Sequence, residues 1–258
     1  MMTTLSNIYR HPVKSLTPEP LQQVDLTPGR ALPNDRRFAL LLGSTPNDGA
    51  ATEWMPKTKF LALMRSEKLA ALETHFDDAT DTLTILRRGK QVTRGKLTDR
   101  IGRVSIEEFF DAYMGAEAQG RPKVVEAAGD HVLSDHASPV LSILNLASVK
   151  DLERVTKKPV DPLRFRANLW LDGLDPWEEF KWLERDLSIG GAKLTVTERI
   201  NRCAATNVNP ETAERDLNIP KALQMGFGHV DMGIYAKVIG AGMIKAGDSV
   251  EVGAPTVL

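Results

Sequence analysis

The sequence contains one cysteine, Cys203, in a polar and basic segment at 198–206 that follows an apolar, strand-like run. A single thiol cannot form an intramolecular disulfide, so a structural cross-link does not account for it. Arg199 and Arg202, which precede it, favour the thiolate, which is the form that attacks substrates and binds soft metals. A lone cysteine is equally compatible with a small buried apolar residue, and the local sequence leaves both interpretations open.

Several common types of catalytic site are missing from the sequence. The five histidines are scattered, and neither His-x-x-x-His nor Cys-x-x-Cys spacing occurs, so no zinc site is predicted. The glycine pairs at 190–191 and 240–242 precede strand-like runs and lack dinucleotide-loop spacing, so they indicate turns. A Cys-His catalytic pair stays open. One cysteine is too few for a cysteine-ligated iron–sulfur cluster, which needs about four, so any electrons required must come from another protein.

The composition excludes several classes of partner. The chain has 258 residues, with 33 basic against 34 acidic side chains and a formal net charge of −1, so no basic surface marks it for nucleic acid or anionic membrane. The N-terminus lacks a basic start followed by an apolar core, and no run approaches the roughly 18 apolar residues of a membrane span. We expect a cytoplasmic protein with neither nucleic acid nor membrane as a partner.

Short β-patterned runs outnumber helical segments, which predicts a mainly β fold with some α (α+β) and a barrel-like or sandwich-like architecture. One helix is predicted at 105–113, with Ser105 as N-cap and Glu108 three residues later, and a second at 146–155 from its apolar spacing. Turn residues at 115–123 predict a boundary between domains 1–122 and 123–258. Strands are predicted at 7–13, 37–42, 71–75, 82–87, 140–144, 168–171, 193–197, 234–239 and 249–252.

Five segments resemble, in order and spacing, the motifs of one family. The segments are Ile8-Tyr9-Arg10-His11-Pro12-Val13-Lys14-Ser15-Leu16, similar to Tyr-Pro-(Val/Ile)-Lys-Ser; Asp35-Arg36-Arg37-Phe38, similar to Asp-Arg-x-Trp; His136-Ala137-Ser138-Pro139-Val140, similar to Asp-x-Ser-Pro; Arg164-Phe165-Arg166-Ala167-Asn168, similar to Arg-Phe-Arg-Pro-Asn; and Arg202-Cys203 with Thr206 and Asn209-Pro210, similar to Arg-Cys-x-x-Thr-x-Val-Asp-Pro. Together they cover nearly the whole chain, which therefore resembles MOSC proteins with an N-terminal MOSC β-barrel domain, related to the amidoxime-reducing component.

The resemblance implies an N-terminal MOSC-type β-barrel domain, a MOSC β-barrel domain and a bound molybdenum cofactor (Mo-molybdopterin). Cys203 would be the catalytic residue and the protein's metal ligand, since a thiolate suits a soft metal. Lys14 and Arg36 would bind the cofactor phosphate through charge-assisted hydrogen bonds. The remaining cofactor contacts implied by the resemblance are Ser15, Ser138, Arg166, Asn168 and Arg202.

The chain departs from the family pattern at Ala167, which replaces proline, and at Phe38, which replaces tryptophan. These departures leave the cysteine in place.

Each of the cofactor-binding residues also has a structural interpretation. The structural alternatives are solvated surface charges for Lys14 and Arg36, turn or cap roles for Ser15 and Ser138, a salt bridge and a bulge contact for Arg166 and Asn168, and for Arg202 either an effect on the thiol pKa or a pair with Glu198.

The function implied by the resemblance is a molybdenum-containing oxidoreductase that reduces N-hydroxylated compounds such as amidoximes, hydroxylamines and N-hydroxylated bases. Some bacterial relatives carry a fused ferredoxin domain that this sequence lacks. Separate electron-transfer proteins of the flavoprotein reductase, ferredoxin or cytochrome type are therefore expected as partners. Two alternatives stay open, a sulfur carrier with a persulfide on Cys203 and a non-catalytic cofactor-binding module.

Overall fold

A computed structural model describes residues 2–46, 50–51, 53–129 and 131–255 of the chain. Strands dominate these residues, so the predicted mainly β, α+β fold is confirmed. The α-helices are α1 (Arg100–Met114), α2 (Leu146–Thr156) and α3 (Ile219–Phe227). The strands are β1 (Thr4–Arg10), β2 (Glu19–Leu21), β3 (Gln23–Leu26), β4 (Phe38–Leu41), β5 (Ala50–Ala51), β6 (Glu73–Asp77), β7 (Thr82–Arg87), β8 (Lys90–Lys96), β9 (Lys123–Ala127), β10 (Leu141–Asn145), β11 (Leu169–Asp172), β12 (Arg185–Ile189), β13 (Ala192–Asn201), β14 (Asp231–Gly240), β15 (Gly242–Lys245) and β16 (Val250–Pro255).

An eight-stranded sheet organises the part of the chain after residue 122, here called the second half. Its strand order is β16-β12-β13-β14-β10-β11-β1-β2, and all neighbours are antiparallel except β10 and β11. One face buries a core of aliphatic side chains that includes Ile143, Leu169, Val196 and Ile234. Helices α2 and α3 contribute to a second core that includes Leu152 and Leu223. The sheet is therefore covered by apolar packing contributed from strands far apart in sequence.

Two smaller sheets lie mainly in residues 2–122, here called the first half, and one of them includes β9 just beyond that boundary. Strand β9 lies between β4 and β5, and β6, β7 and β8 form an antiparallel meander. Helix α1 packs over β8, and its buried Ile106 and Phe110 join a core with Phe38 and Leu83. Burial of these large side chains is the main stabilising contribution, at about 1.5–3 kcal/mol for each.

The beginning of the chain crosses between the halves. Strand β1 pairs with β11, and β3 pairs with β15. Residues 4–26 therefore join sheets built from strands of the second half, and β4 is the first strand that joins a sheet of the first half. The segment that follows β1 thus runs along the junction and carries Lys14 and Ser15 to it. The division into 1–122 and 123–258 stays a prediction, and the pairing shows that strands near the N-terminus lie against the other half.

Two local predictions need correction. Helix α1 begins at Arg100, five residues before the expected start, because Asp99 is the N-cap and accepts a hydrogen bond from the Gly102 amide at 2.7 Å. The hydroxyl of Ser105 instead bonds back to the carbonyl of Ile101, the usual alternative for serine inside a helix. The strand predicted at 71–75 begins at Glu73, since the residues before it form a 3-10 helix that ends at Ala71.

Across the described part of the chain, no helix has the length and apolar character needed to traverse a lipid bilayer. The cytoplasmic location stays a prediction.

Candidate functional site

A cavity of about 350 Å³ lies at the junction of the two halves. Seven of the eight predicted site residues line it, and Ser138 does not. Its lining holds seven Lys and Arg side chains against two carboxylates, Asp135 and Glu198, so the cavity is strongly cationic although the chain as a whole is nearly neutral. The predicted residues brought together here are Lys14, Ser15, Arg36, Arg166, Asn168, Arg202 and Cys203.

Cys203 lies just beyond the end of β13, where the chain leaves the sheet. Its backbone is extended, and it begins the 3-10 helix Ala204–Asn207. Thr206 fixes this turn by donating its amide (3.1 Å) and its hydroxyl (2.9 Å) to the Cys203 carbonyl. The thiol is free and half-buried. A free thiol that lines a cationic cavity differs from a cysteine packed as a core residue, so the structure favours the chemical interpretation.

Lys14 is buried, which excludes its interpretation as a solvated surface charge. Its Nζ donates to Asp135 Oδ1 at 2.6 Å and to the Leu133 carbonyl at 2.9 Å. Burial lowers the pKa of Lys14 even though Asp135 opposes the change. Lys57 contacts the other oxygen of the same carboxylate at 3.3 Å. Burial acts to raise the pKa of Asp135, but the two ammonium groups outweigh it and the pKa falls to about 2.

Lys57 was not anticipated from the sequence. It lies in the short 3-10 helix Lys57–Lys59 of the first half and reaches Asp135 in the second half. Burial alone would lower the pKa of Lys57, but Asp135 and then the Cys203 sulfur outweigh it, so the pKa is raised. A lysine within a polar loop carries no motif, and only its position at the junction shows that it belongs to the site.

Arg36 is held by the residue before it and by the opposite half. Its guanidinium pairs with the carboxylate of Asp35 and donates to the carbonyl of Arg166 at 2.8 Å. Asp35 is buried and also accepts the backbone amide of His11 at 2.7 Å. The buried His11 ring lies 3.4 Å from the same carboxylate, yet burial, Arg166 and Arg36 lower the pKa of His11 to about 3. His11 is thus neutral beneath a cluster of cations.

Arg166 is the least compensated cation of the cavity. Its Nη2 is buried and has no hydrogen-bond partner among the described residues. Burial and then repulsion by Arg36 lower the pKa of Arg166 to about 9. Arg164, two residues earlier, contrasts with it because its Nη2 contacts both carboxylate oxygens of Asp216 at 2.7 and 2.8 Å. Since an unpaired buried charge is costly, the free donor of Arg166 makes the site suited to an anion.

Arg202 contacts backbone carbonyls where an ion pair with Glu198 was one alternative. Its Nε donates to the Met232 carbonyl and its Nη1 to the Phe165 carbonyl, both at 2.8 Å. Its buried Nη2 lacks a partner among the described residues, as in Arg166. Burial lowers the pKa of Arg202 to about 10. Two adjacent arginines therefore each keep one unused, buried donor.

Matches to two protein-family models cover the chain. Residues 2–130 match the MOSC N-terminal beta barrel domain, and residues 129–251 match the MOSC domain. The chain belongs to the MOSC family. The N-terminal MOSC β-barrel domain and the MOSC domain expected from the sequence are therefore confirmed.

This MOSC protein also has relatives among characterised proteins. Mitochondrial amidoxime-reducing component 1 of Mus musculus is 31% identical over 43% of this chain and 32% of its own length. The same component of Homo sapiens is 30% identical over 47% of this chain and 39% of its own. Mitochondrial amidoxime reducing component 2 of Bos taurus is 32% identical over 44% and 36%. The chain thus spans between a third and two fifths of the length of these relatives, and their named activity enters only as a proposal.

Solved structures resemble this chain at low scores. The YUAD protein from Bacillus subtilis covers 98% of this chain with a TM-score of 0.43 and 12% identity, and the match takes in 96% of that chain. YiiM from Geobacillus stearothermophilus covers 44% of this chain with a TM-score of 0.35 and 21% identity, and the match takes in 54% of that chain.

The serines and the asparagine of this MOSC protein differ in how free their polar groups are. Asn168 is buried and fully engaged, because its Oδ1 accepts from the hydroxyl and the amide of Ser142 (2.8 and 3.1 Å) and its Nδ2 donates to the Tyr9 carbonyl (3.1 Å). Its side chain therefore already ties β1, β10 and β11 together. Ser15 is buried at a positive φ of 68° and lines the cavity. Cofactor roles for Asn168, Ser15 and Ser138 stay predictions.

The donor set of the cavity fits a molybdenum cofactor. Among the described residues, no cluster of three or more His, Cys, Asp or Glu side chains is placed to hold a metal ion. A metal bound at Cys203 would thus take its other ligands from an organic group that enters with it. The free thiol suits the soft metal, and the unpartnered guanidinium groups of Arg166 and Arg202 suit the anionic remainder.

Proposed function

We propose that this MOSC protein is a molybdenum-cofactor-dependent oxidoreductase that reduces N-hydroxylated compounds, with Cys203 as the protein ligand of the metal. One observation carries the proposal: the free thiol shares its cavity with two arginines, Arg166 and Arg202, whose buried Nη2 atoms have no partner in the described structure. Membership of the MOSC family and the names of the curated relatives support it.

The cavity residues comprise one thiol suited to a metal and several cations suited to an anion. Cys203 would bind the metal as thiolate, while Arg166 and Arg202 would offer their unused donors to the anionic groups of the cofactor. Lys14 and Arg36 add charge, although each already has a carboxylate partner, Asp135 and Asp35 respectively. Because these cations are buried and their field is concentrated in one cavity, a large anion can be retained tightly without a basic surface.

When bound, the cofactor would supply the two-electron chemistry that removes oxygen from nitrogen. Cleavage of the N–O bond of an N-hydroxyl compound consumes two electrons and two protons and yields the N–H product and water. With one cysteine, the chain cannot ligate an iron–sulfur cluster through cysteines. The electrons would come from a separate electron-transfer protein of the flavoprotein, ferredoxin or cytochrome type.

The first test is the molybdenum and pterin content of the protein, purified from a host that makes the cofactor. Wild type, Cys203→Ala and Arg166→Met are compared, because the two substitutions remove the metal ligand and an anion donor separately. We expect nearly one molybdenum per wild-type chain, loss of metal from Cys203→Ala and weaker retention in Arg166→Met. A loaded wild type is then incubated with a simple aromatic amidoxime and reduced viologen, and amidine formation is measured.

Three other outcomes contradict the proposal in different ways. A wild type without molybdenum, from a host whose other molybdoenzymes are loaded, excludes the oxidoreductase. In that case a labile extra sulfur on Cys203 indicates the sulfur carrier. Full molybdenum content without reduction of any N-hydroxylated compound indicates the non-catalytic cofactor-binding module.

A further inference from the structure

A histidine–carboxylate pair lies in the wall of the cavity, separate from the cluster of cations. His136 Nε2 is 2.7 Å from Glu198 Oε1, and both residues line the same cavity as Cys203. His136 begins the segment that resembles Asp-x-Ser-Pro, and Glu198 follows Val196 and Thr197 on β13.

The other nitrogen of the His136 ring faces a backbone group that can serve two protonation states. Nδ1 lies 3.0 Å from the Ser138 amide and 2.9 Å from the Ser138 carbonyl. Nδ1 accepts from the amide when it carries no proton, and it donates to the carbonyl when it carries one. The ring therefore gains or loses a proton at Nδ1 without leaving a buried polar group unpaired, which would otherwise cost about 1–3 kcal/mol.

A β-bulge directs Glu198 into the cavity. Val196 opposes Ala236, but Glu198 opposes Tyr235, so Thr197 is an extra residue in β13 at this point. A bulge moves the following side chain to the other face of a strand. Val196 consequently packs in the core, whereas Glu198 shares a face with Tyr235, which in turn lies opposite Ser142 of β10.

The His136–Glu198 pair is partly exposed to solvent and also lines the cavity. The side chain of Glu198 is 55% exposed and that of His136 is 20% exposed. Tyr235 of β14 lies against the His136 ring with 5.1 Å between ring centroids, and burial raises the pKa of Tyr235. Asp135, next to His136 in sequence, is already paired with Lys14 and Lys57.

Apart from Asp135, the other charged groups that line the cavity are cationic. Arg199 and Arg202 follow Glu198 on β13 and just beyond it, and Arg36 and Arg166 face the cavity from the junction. Glu198 is thus the single cavity carboxylate, among the described residues, that pairs with a histidine.

We propose that His136 and Glu198 form a proton relay that supplies a proton for cleavage of the N–O bond. The inference rests on the proposed function and adds the route of the proton. From the imidazolium, the Nε2 proton passes to the Glu198 carboxylate, and the resulting acid gives it to the substrate hydroxyl oxygen, which leaves as water. The second proton of the reduction comes from solvent and goes to the product nitrogen. The Nδ1–H keeps its bond to the Ser138 carbonyl, and solvent restores the proton through the exposed carboxyl. The two electrons come from the electron-transfer partner.

The test compares wild type, His136→Gln and Glu198→Gln as cofactor-loaded proteins, with reduced viologen as reductant and an aromatic amidoxime as substrate. Both substitutions keep hydrogen-bonding groups of similar size, so the fold and the molybdenum content are expected to stay unchanged. We expect kcat to fall about 10²-fold in each variant, as for loss of a general acid, with little change in KM. The pH dependence of kcat in wild type should become flat in both variants. His75→Gln, at an exposed histidine, is the control and should match wild type.

A second measurement does not depend on activity. In ¹⁵N NMR spectra, Nε2 of His136 is expected to be hydrogen-bonded to the Glu198 carboxyl group. Glu198→Gln should therefore shift the Nε2 resonance, whereas His75→Gln should leave it in place. Unchanged rates and pH profiles in both variants, or an Nε2 resonance that Glu198→Gln does not move, would overturn the relay. A loaded wild type that reduces nothing contradicts the proposed function itself, and this is seen before any variant is compared.

Discussion

Arg36 and Arg166 are joined across the two halves, since Nη2 of Arg36 donates to the backbone carbonyl of Arg166 at 2.8 Å. Both residues have a positive φ of 50°, and both line the cavity. Arg36 also pairs with the buried Asp35. The guanidinium of Arg36 therefore connects the first half to the second half at the wall of the cavity.

The first prediction concerns Arg36→Lys. A lysine ammonium is a point charge without the planar fork of arginine, so it can pair with Asp35 or reach the Arg166 carbonyl, but not both. We expect the free energy of unfolding to fall by about 1.5–3 kcal/mol, the contribution of a hydrogen bond to a charged group. Molybdenum retention through gel filtration should also decrease. Chemical denaturation measures the first effect and metal analysis the second.

The control is Arg94→Lys, at an exposed position on β8. It should change stability by less than about 0.5 kcal/mol. An equal loss in both variants would show that the junction contact of Arg36 contributes nothing specific.

Arg166→Met should have opposite effects on folding and on binding. Because Arg166 carries a buried, unpartnered donor, removal of its charge should stabilise the cofactor-free protein by about 1–3 kcal/mol. The same substitution removes an anion donor and should weaken cofactor retention. Thermal and chemical unfolding of cofactor-free protein, followed by reconstitution, measure the two effects.

Arg164→Met is the control, since Arg164 lines the same cavity but is paired with Asp216. Loss of that pair should destabilise the protein by about 2–4 kcal/mol, discounted for the partial exposure of Asp216. If both variants lose stability alike, Arg166 is not an uncompensated charge.

Sequence reasoning predicted nine of the sixteen described strands, because these are runs rich in Leu, Val, Ile and Thr between turn residues. It predicted Cys203 because a lone cysteine that follows two arginines is locally visible. It missed β2, β3, β5, β8, β9, β12 and β15. It placed Lys14, Arg36 and Arg202 in the cavity through motifs, and the structure brings all of them there. What it could not predict is non-local pairing. Strand β1 pairs with β11 about 160 residues away, and no local pattern shows this.

Glu198 and Lys57 show two further physical limits. Regular alternation puts Glu198 on the same face as Val196, and only the extra residue at Thr197 reverses that direction. Lys57 approaches the site from the opposite half of the chain, so its role depends on how the halves meet. Arg164 pairs with the Asp216 carboxylate, whereas Nη2 of Arg166 has no hydrogen-bond partner among the described residues. This difference likewise depends on contacts between distant segments.

His11 should make folding stability depend on pH between 6.5 and 4.5. Its pKa is lowered to about 3 in the folded protein from an ordinary value of 6.5, mainly by burial. Below pH 6.5 the unfolded chain binds a proton that the folded protein does not, so stability present above 6.5 is lost as the pH falls. We expect a loss of about 2 kcal/mol over this range, which lies above the titration of Asp35 and Asp135.

The measurement is chemical denaturation at several pH values for wild type and His11→Gln. The variant should lose this part of the slope even if its stability at pH 7 is lower. His75→Gln, at an exposed histidine, should keep the wild-type slope. A slope that persists in His11→Gln would assign the proton to another group.

Gly233 lies beside the guanidinium of Arg202 and has no side chain that would fill this space. Its φ is 75°, and a Cβ added there would lie 2.3 Å from the Ile143 carbonyl oxygen and 3.4 Å from Nη2 of Arg202. Since the first distance is to backbone, β14 would have to move away from β10. Gly233→Ala should therefore destabilise the protein by about 3 kcal/mol or more, combining a strained φ with a backbone clash.

Gly228→Ala separates the clash from the backbone conformation. Gly228 has nearly the same φ, 77°, but nothing lies within 4 Å of its added Cβ. It should therefore cost only about 1–2 kcal/mol and leave molybdenum retention unchanged. Gly233→Ala should additionally reduce retention, because displacement of β14 moves the Met232 carbonyl that holds Nε of Arg202. Denaturation and metal analysis of both variants decide this. Equal losses of stability with full retention in each would mean that Gly233 is needed only for its backbone conformation and does not position Arg202.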